Sequence, residues 1–322
     1  MNAAGPVVTL VVPTYRRPEL LRECLEAIRG QTFEDFTVLV CDNAADPAVG
    51  RLVDDLDDQR FLWTPRETNL GILGNVWSGF SSARTELVME VDDDDVLAAD
   101  ALALLVPPLL EDPTVLVAFA DVDLVDAAGR PLPPEHPMSA IVSRRDVPAG
   151  RLHPFHEVAA RGDIFMVAAV IRRAAIDWTE RPDAAGTAYD RYLAVALART
   201  GAAAHHVARP VVAYRIHEQA DGSRELTSQL DGAATVLEAE LARGGSGTHM
   251  QVVRDELTRT HILRIRSLLA DGRPGAAAAT AARVLTAPRG LVGSARFARR
   301  YLRRILGARR GRASPTRAKG AA

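Results

Sequence analysis

Several residue types and patterns are scarce or missing in this chain of 322 residues. Lysine occurs only at position 319, so we do not expect a phosphate site built on a lysine side chain within residues 1–318. The only cysteines, Cys24 and Cys41, lack zinc-ligand spacing and are too few for a disulfide framework, so we expect them in the core. No apolar run approaches the roughly 18 residues of a membrane span, and the N-terminus has no secretory-signal pattern. We therefore expect a cytoplasmic protein.

Acidic residues are missing from the end of the chain, since none follows Asp271. Residues 251–322 contain 17 Arg and Lys against 3 Asp and Glu, whereas residues 1–250 contain 22 basic and 38 acidic residues. The acidic part is consistent with a metal-dependent site. The basic part predicts an anionic partner surface, for which we expect lipid headgroups and not nucleic acid.

Strand-like and helix-like segments alternate through the first hundred residues. Four apolar runs predict strands, and the helical periodicity between them predicts helices. The strands are predicted at 7–12, 36–41, 60–63 and 86–91, and the helices at about 20–28, 49–56 and from the Gly-rich turn 69–75 to about 83. This alternation predicts an α/β fold with a doubly wound, mainly parallel, Rossmann-like sheet.

The regular alternation of strands and helices ends after residue 98. Further strands are predicted at 115–120, 165–171 and 210–216, with a helix at 185–199 and a helical pattern beyond 225. The Pro-, Arg- and His-rich stretch 131–163 reads as a loop, a suitable place for a substrate-binding insertion. The predicted division is a catalytic domain at 1–222 (halves 1–98 and 99–222), a helical C-terminal region at 223–310 and a disordered basic tail at 311–322.

An acidic run, Asp92 to Asp95, directly follows the apolar segment that ends at Val91. Ligands bind at the carboxyl ends of strands in open α/β sheets. Four adjacent like charges repel one another, and a divalent cation such as Mg²⁺ or Mn²⁺ would neutralise them and could hold a pyrophosphate. The alternative is a solvated loop with a helix N-cap, since Asp is favoured at both.

The chain resembles the family 2 glycosyltransferases of the GT-A fold over roughly residues 7–222. Six pieces stand in the family's order. They are Val11-Val-Pro-Thr-Tyr-Arg-Arg17, Val40-Cys-Asp-Asn43, Asn69-Leu-Gly71 with Gly74-Asn75, the D-x-D segment in Val91 to Leu97, Tyr189-Asp190, and Tyr214-Arg-Ile-His217. The resemblance implies a GT-A fold and an inverting transfer of one sugar from a nucleotide diphosphate-sugar to an acceptor hydroxyl.

The resemblance assigns the acidic run to a site for Mn²⁺ or Mg²⁺. Asp94 is the expected main ligand, with Asp92 and Asp93 on ribose or on the metal through water. The register is open by one residue because all four are Asp, and Asp95 is expected to cap the next helix. His217 is expected to reach the metal or the diphosphate, although a lone histidine is more often a surface residue.

The donor nucleotide is assigned to the first half of the chain. The expected contacts are Pro13, Thr14, Tyr15, Arg17, Asp42, Asn69, Gly71, Gly74, Asp92 and Asp93. Tyr15 could form a wall against the base or lie in the core, and Asp42 could accept a base imide N–H or simply form a turn. The glycines suit close approach of backbone to a ribose or phosphate, or an ordinary turn into a helix.

Asp190 is the expected general base, because an acceptor hydroxyl needs a positioned carboxylate to take its proton. The alternative is that Asp190 forms a surface pair with Arg191 or Arg172. Arg215, on the last predicted strand, could reach phosphate.

Two other functions remain open. A nucleotidyltransferase would use a similar sheet and metal, but its phosphate-binding lysine is missing here. A catalytically inactive nucleotide-sugar-binding or membrane-surface scaffold is the second alternative, which the acidic residues Asp94 and Asp190 argue against. The Q-x-x-R-W motif of processive synthases is absent, so we expect transfer of a single sugar.

A basic amphipathic helix is predicted at 297–310. Its apolar residues, among them Phe297, Tyr301 and Ile305, fall on one side and are flanked by arginines. Such a helix can lie on an anionic membrane at the inner face of the cell membrane, which would suit a lipid-linked acceptor. The alternative is a helix packed on the catalytic domain.

Overall fold

The computed structural model describes residues 5–136, 146–216, 222–244 and 247–286. Contacts divide the described part of the chain into two compact units, the first ending at Val236 and the second beginning at Leu237. The boundary predicted at residue 222 stays a prediction.

The first half of the sheet consists of parallel strands in the order β3-β2-β1-β4. These strands are β1 (Val8–Thr14), β2 (Phe36–Asp42), β3 (Phe61–Pro65) and β4 (Leu87–Glu90), and they alternate with helices α1 (Pro18–Arg29), α2 (Pro47–Asp54) and α3 (Gly71–Ser82). Every residue of β1 and β4 is buried, as expected for strands covered on both faces.

A glycine brings α3 directly onto the sheet. A methyl group at Gly79 would lie 2.4 Å from Val11 Cγ1 and 3.0 Å from Cys41 Sγ. Any larger residue would push the helix away from β1 and β2. This close packing sets the start of α3, with its Gly-rich turn, at the carboxyl edge of these two strands.

The second half of the sheet mixes parallel and antiparallel pairs in the order β4-β8-β6-β9-β5, with β7 on the far side of β9. Its strands are β5 (Val96–Leu97), β6 (Val115–Val125), β7 (Gly150–Leu152), β8 (Ala169–Arg172) and β9 (Ala203–Arg215). Its helices are α4 (Ala101–Leu105), α5 (Pro107–Glu111), α6 (His156–Arg161) and α7 (Tyr189–Arg199). Strands β6 and β9 are parallel, whereas β8 is antiparallel to both of its neighbours.

The core lies in two layers on opposite faces of this sheet. Successive residues of β1 alternate between them, with Leu10 and Val12 in one layer and Val11 in the other. Buried residues of α1, α2, α4 and α5 fill the first layer, and those of α3, α6 and α7 fill the second. The prediction of an α/β, doubly wound and mainly parallel sheet is confirmed.

The second half departs from the sequence-based expectations in three places. Strand β6 runs on to Val125, and the stretch predicted as loop at 131–163 contains β7 and α6. The helix predicted from Ala185 begins as α7 at Tyr189, because a 3-10 segment at Asp183–Ala188 is broken by Gly186, which has φ 53° and ψ −127°.

Helices follow the sheet, as predicted for a C-terminal extension. They are α8 (Gly222–Ala242), α9 (Thr248–Ala270) and α10 (Pro274–Thr286). Within the described part of the chain, no helix has both the length and the apolar character needed to cross a membrane. The predicted basic helix at 297–310 and the tail at 311–322 lie outside the described residues.

Candidate active site

Three parallel strands end together at one edge of the sheet. Thr14 at the end of β1 is the register partner of Asp42 at the end of β2, and Glu90 ends β4 on the other side of β1. The acidic run follows β4 after one residue, and its turn is closed by the Asp95 N–H donating to the Asp92 carbonyl oxygen at 3.1 Å. The run therefore lies at the carboxyl edge, as predicted.

Two side chains of the β1–α1 connection hold the acidic run. The Thr14 hydroxyl donates to Asp93 Oδ2 at 2.7 Å in a buried contact. Arg17 Nη1 donates to Asp94 Oδ2 at 2.9 Å and lies 3.5 Å from Asp93 Oδ1. Thr14 thus turns Asp93 toward β1, and Arg17, whose side chain is half exposed, neutralises part of the negative charge.

Arg215 holds the run from the opposite side. Its backbone N–H donates to Asp95 Oδ1 at 2.9 Å, its Nε donates to the Asp94 carbonyl at 2.8 Å, and its Nη2 lies 2.8 Å from Glu23 Oε2 on α1. The expectation that Arg215 reaches phosphate is wrong, because this side chain is only 3% exposed and its guanidinium bonds the loop itself. Asp95 also caps no helix, since β5 follows it immediately.

The side-chain oxygens of Asp92, Asp94 and Asp95 form a compact set. One oxygen from each lies within 4.8 Å of the others. Asp95 Oδ2 is buried and has no hydrogen-bond partner among the described residues. Oxygen ligands with an unsatisfied buried member suit a hard divalent cation. Of the three ligands predicted for a metal, Asp92 and Asp94 are in this set and His217 lies outside the described residues.

The acidic run holds protons more tightly than ordinary carboxyls do. Burial, with the charges of Asp94 and Asp93, raises the pKa of Asp92 to about 8. Burial raises the pKa of Asp93 to about 6 although the hydrogen bond from Thr14 opposes the shift. Burial and the charge of Asp92 raise the pKa of Asp95 as well. For these aspartates to be deprotonated at the same time, positive charge in addition to that of Arg17 is needed.

Asp42 is buried at the end of β2 and already accepts three N–H groups. These come from the backbone of Ala44 at 2.9 Å and Asp46 at 2.6 Å, and from the indole of Trp63 at 3.2 Å. A carboxylate accepts about four hydrogen bonds, so one position remains for a further donor. The turn-forming role is observed, and the role in base recognition stays a prediction.

Asparagines tie the Gly-rich turn to the end of β2. Asn43 Nδ2 donates to Asn69 Oδ1 at 2.8 Å, and Asn43 Oδ1 accepts the Leu70 N–H at 2.9 Å. Gly71 has φ +70°, a conformation that favours glycine, and its surroundings are open. Gly74 is enclosed, since a methyl group there would lie 2.9 Å from Leu70 Cβ.

Tyr15 and Pro13 differ in exposure. Pro13 is buried within β1, whereas Tyr15 is 41% exposed and its ring lies 5.0 Å from the guanidinium carbon of Arg16. The core alternative for Tyr15 is therefore wrong. Its role against a base stays a prediction.

Asp190 lies in the first turn of α7. Burial is the main cause of the raised pKa of Asp92 and Glu90, and the charge of Asp190 adds a smaller contribution to both. One of its oxygens accepts the Arg191 N–H at 2.6 Å. Arg172 bonds instead to Glu86 and to the Leu109 carbonyl. The residue before Asp190, Tyr189, donates its hydroxyl to Glu90 at the end of β4, so the start of α7 lies against the strand that leads into the acidic run.

Four residues at this edge were not singled out from the sequence as functional: Asn43, Glu90, Asp95 as an oxygen ligand, and Tyr189. Glu90 is the one carboxyl in the otherwise apolar strand β4, and a charged residue in a buried strand is the sequence feature that could have indicated a functional role. Asp95 could not be separated from its three identical neighbours.

Comparisons with known proteins agree with this geometry. Residues 9–166 match the model of the family described as Glycosyl transferase family 2. A GalNAc(5)-diNAcBac-PP-undecaprenol beta-1,3-glucosyltransferase of Campylobacter jejuni is 32% identical over 103 residues, which are 31% of this chain and 33% of that protein. The match thus spans about a third of that relative.

Solved structures share the fold at low sequence identity. The mannosyltransferase PcManGT from Pyrobaculum calidifontis, in complex with GDP-Man and Mn²⁺, has a TM-score of 0.57 at 18% identity, covering 90% of this chain and 79% of that one. S. aureus TarS in complex with UDP-GlcNAc has a TM-score of 0.55 at 15% identity, covering 81% and 79%. The family match and the curated relative identify the region 9–166 as that of a family 2 glycosyltransferase, and the solved structures show that the chain has the GT-A fold.

Proposed function

We propose that this glycosyltransferase moves a single sugar from a nucleotide diphosphate-sugar to an acceptor hydroxyl, with a divalent cation and with inversion at the anomeric carbon. The observation that carries the proposal is the set of Asp92, Asp94 and Asp95 oxygens within 4.8 Å of one another, placed just after the carboxyl end of β4.

Asp92, Asp94 and Asp95 would hold Mn²⁺ or Mg²⁺. When bound, such a cation offsets the charge of a diphosphate and so assists its departure. Thr14 ties Asp93 to the end of β1. Arg215, through the Asp94 carbonyl and Asp95 Oδ1, holds the backbone of the run in place.

The donor nucleotide is proposed to bind along the β1 and β2 side of the edge. Structural neighbours bind GDP-Man with Mn²⁺ and UDP-GlcNAc. The proposed contacts are Pro13, Thr14, Tyr15, Arg17, Asp42, Asn69, Gly71, Gly74, Asp92 and Asp93. Exposed Tyr15 would cover the base, and half-exposed Arg17 is within reach of both the carboxylates and an incoming phosphate.

Asp190 is proposed to act as the general base. The acceptor oxygen forms its bond to the anomeric carbon as the bond from that carbon to the diphosphate breaks, and the hydroxyl proton passes to the Asp190 carboxylate. A single displacement of this kind inverts the anomeric configuration. NMR of the product should therefore show the anomer opposite to that of the donor.

The acceptor is proposed to be lipid-linked, with the enzyme held peripherally at the inner face of the cell membrane. The Campylobacter jejuni relative is named for a PP-undecaprenol-linked acceptor. The arginine-rich sequence after residue 295 supplies charge that matches anionic headgroups.

Release of nucleoside diphosphate by the purified protein tests this function. UDP-, dTDP- and GDP-sugars should be compared with Mn²⁺ and with chelator, and one class should give turnover that depends on metal. Asp94→Asn should abolish it, whereas Asp54→Asn, which changes an exposed aspartate on α2, should not. Full turnover in excess chelator would contradict metal dependence, and metal-dependent donor binding without transfer would favour the scaffold function instead.

A further inference from the structure

A buried carboxyl group lies directly beneath the proposed active site. Glu90 ends β4 and is 1% exposed, and its neighbours Val88, Met89 and Val91 are completely buried. Its Oε1 accepts a hydrogen bond from the hydroxyl of Tyr189, while its Oε2 is buried without a partner among the described residues. Burying a carboxyl in an apolar layer costs free energy that hydrogen bonds must offset, and here the Tyr189 hydroxyl supplies such a bond.

This hydrogen bond joins two parts of the chain that are distant in sequence. One residue, Val91, separates Glu90 from the acidic run, and Tyr189 directly precedes Asp190 at the start of α7. The contact therefore links the strand that presents the proposed metal ligands to the helix that presents the proposed base.

The segment before Tyr189 is constrained from its other side. A methyl group at Gly232 on α8 would lie 2.0 Å from the carbonyl oxygen of Ala185, so helix and segment are in close backbone contact. Gly186 breaks the segment, so α7 begins afresh at Tyr189 and the rotation of its first turn is not fixed by a continuous helix. The hydrogen bond from the Tyr189 hydroxyl to Glu90 ties this turn to β4.

We propose that Glu90 and Tyr189 form a positioning pair that sets the distance between Asp190 and the acidic run. This proposal rests on the proposed function of Asp190 as general base. Neither residue touches the reacting atoms. Loss of the hydrogen bond lets the first turn of α7 shift, and a misplacement of about 1 Å in such a site can cost about 10²-fold in rate.

Tyr189→Phe tests the pair because it removes only the hydroxyl. We expect kcat to fall about 10- to 100-fold while the KM for the donor changes less than about 2-fold. Tyr192→Phe is the matched control, since Tyr192 lies on the same helix and its ring packs on Trp77 with centroids 6.3 Å apart. The control should keep the wild-type kcat.

Variants of Glu90 separate positioning from packing. Glu90→Gln keeps an oxygen that accepts the Tyr189 hydroxyl, so we expect at least about a third of the wild-type kcat. Glu90→Leu fills the site without an acceptor and should lose as much as Tyr189→Phe. The double variant Glu90→Leu/Tyr189→Phe should be no worse than either single variant, since both remove the same contact.

The outcomes distinguish this inference from the proposed function. Wild-type kcat in Tyr189→Phe, or equal kcat in Glu90→Gln and Glu90→Leu, overturns the positioning pair and leaves the function intact. A rise in the donor KM of Tyr189→Phe by as large a factor as the fall in kcat would show that the pair acts on donor binding. This result would also overturn the positioning pair. Absence of wild-type turnover with every donor overturns both.

Discussion

Raised pKa values at two aspartates of the active site make stability depend on pH. Asp92 has a pKa of about 8 and Asp93 of about 6, whereas an unfolded Asp has about 3.9. Between these values the folded protein binds more protons than the unfolded chain, so stability decreases as pH rises from about 4 to 8.

The thermal unfolding midpoint of the metal-free protein should therefore fall between pH 5 and pH 8. Asp92→Asn removes the larger of these two contributions and should make the decline less steep. Mn²⁺ should raise the midpoint more at pH 8 than at pH 5, because a cation competes with protons for the same oxygens. If the unfolding midpoints of wild type and Asp92→Asn fell in parallel with pH, the pKa of Asp92 would not be raised in the folded protein.

Asp190→Asn should reduce kcat by about 10²- to 10⁴-fold with little change in donor affinity, because the amide keeps the shape but cannot accept the proton. Asp183→Asn is the control, since Asp183 lies in the preceding segment, pairs with Arg181 and has a side chain that is 68% exposed. Single-turnover rates measure the effect on chemistry. Near-normal transfer by Asp190→Asn would place the base elsewhere.

At the residue scale, the sequence predicted where the charges gather but not what each one does. The acidic run lies at a strand end and Asp190 lies at the start of a helix, as the motif order indicated. The partners of Asp93 and Asp95 come from Thr14 and Arg215, which are 79 and 120 residues away in sequence. Four identical residues carry no local signal that separates these roles.

At the scale of secondary structure, Gly232→Ala should destabilise the protein. The added methyl group would overlap the Ala185 carbonyl, and overpacking of this kind typically costs about 1–3 kcal/mol. Because the displaced segment leads into α7, kcat should fall as well. Denaturant unfolding and kcat together test this.

Gly275→Ala on α10 is the comparison, since a methyl group there meets open space and alanine favours helix. It should leave stability unchanged or slightly raised. A Gly232→Ala protein as stable and active as Gly275→Ala would show that α8 does not hold the segment before α7.

The first four strands were predictable to within a few residues because parallel, buried strands are continuous apolar runs bounded by turn residues. The second half was less predictable for physical reasons. Gly186 interrupts a helical pattern that the sequence shows as continuous. Strand β9 contains a register shift next to Pro210, which has no N–H to donate to the sheet, so its length could not be read from an unbroken apolar run.

At the scale of the whole molecule, charge is distributed unevenly along the chain. The amphipathic basic helix predicted at 297–310 lies outside the described residues, so its contact with membrane stays a prediction. If it holds, each arginine near an anionic surface contributes about 1 kcal/mol to binding.

Vesicle flotation of the full chain tests this prediction. The protein should float with vesicles containing anionic lipid at low salt and stay in the dense bottom fraction at high salt. A variant with Arg299, Arg300, Arg303 and Arg304 all changed to Gln should lose most of this binding while keeping turnover on a soluble acceptor. Equal flotation of the two proteins would favour the helix packed on the catalytic domain.

The central claim is that the carboxylates at the edge of β4 bind a nucleotide diphosphate-sugar through a divalent cation. Calorimetric titration of wild-type protein with the donor identified by turnover, in Mn²⁺ and then in chelator, measures this most directly. We expect binding in Mn²⁺ that weakens at least about 10-fold in chelator and in Asp94→Asn, but not in Asp54→Asn. Equal affinity with and without the cation would contradict the claim.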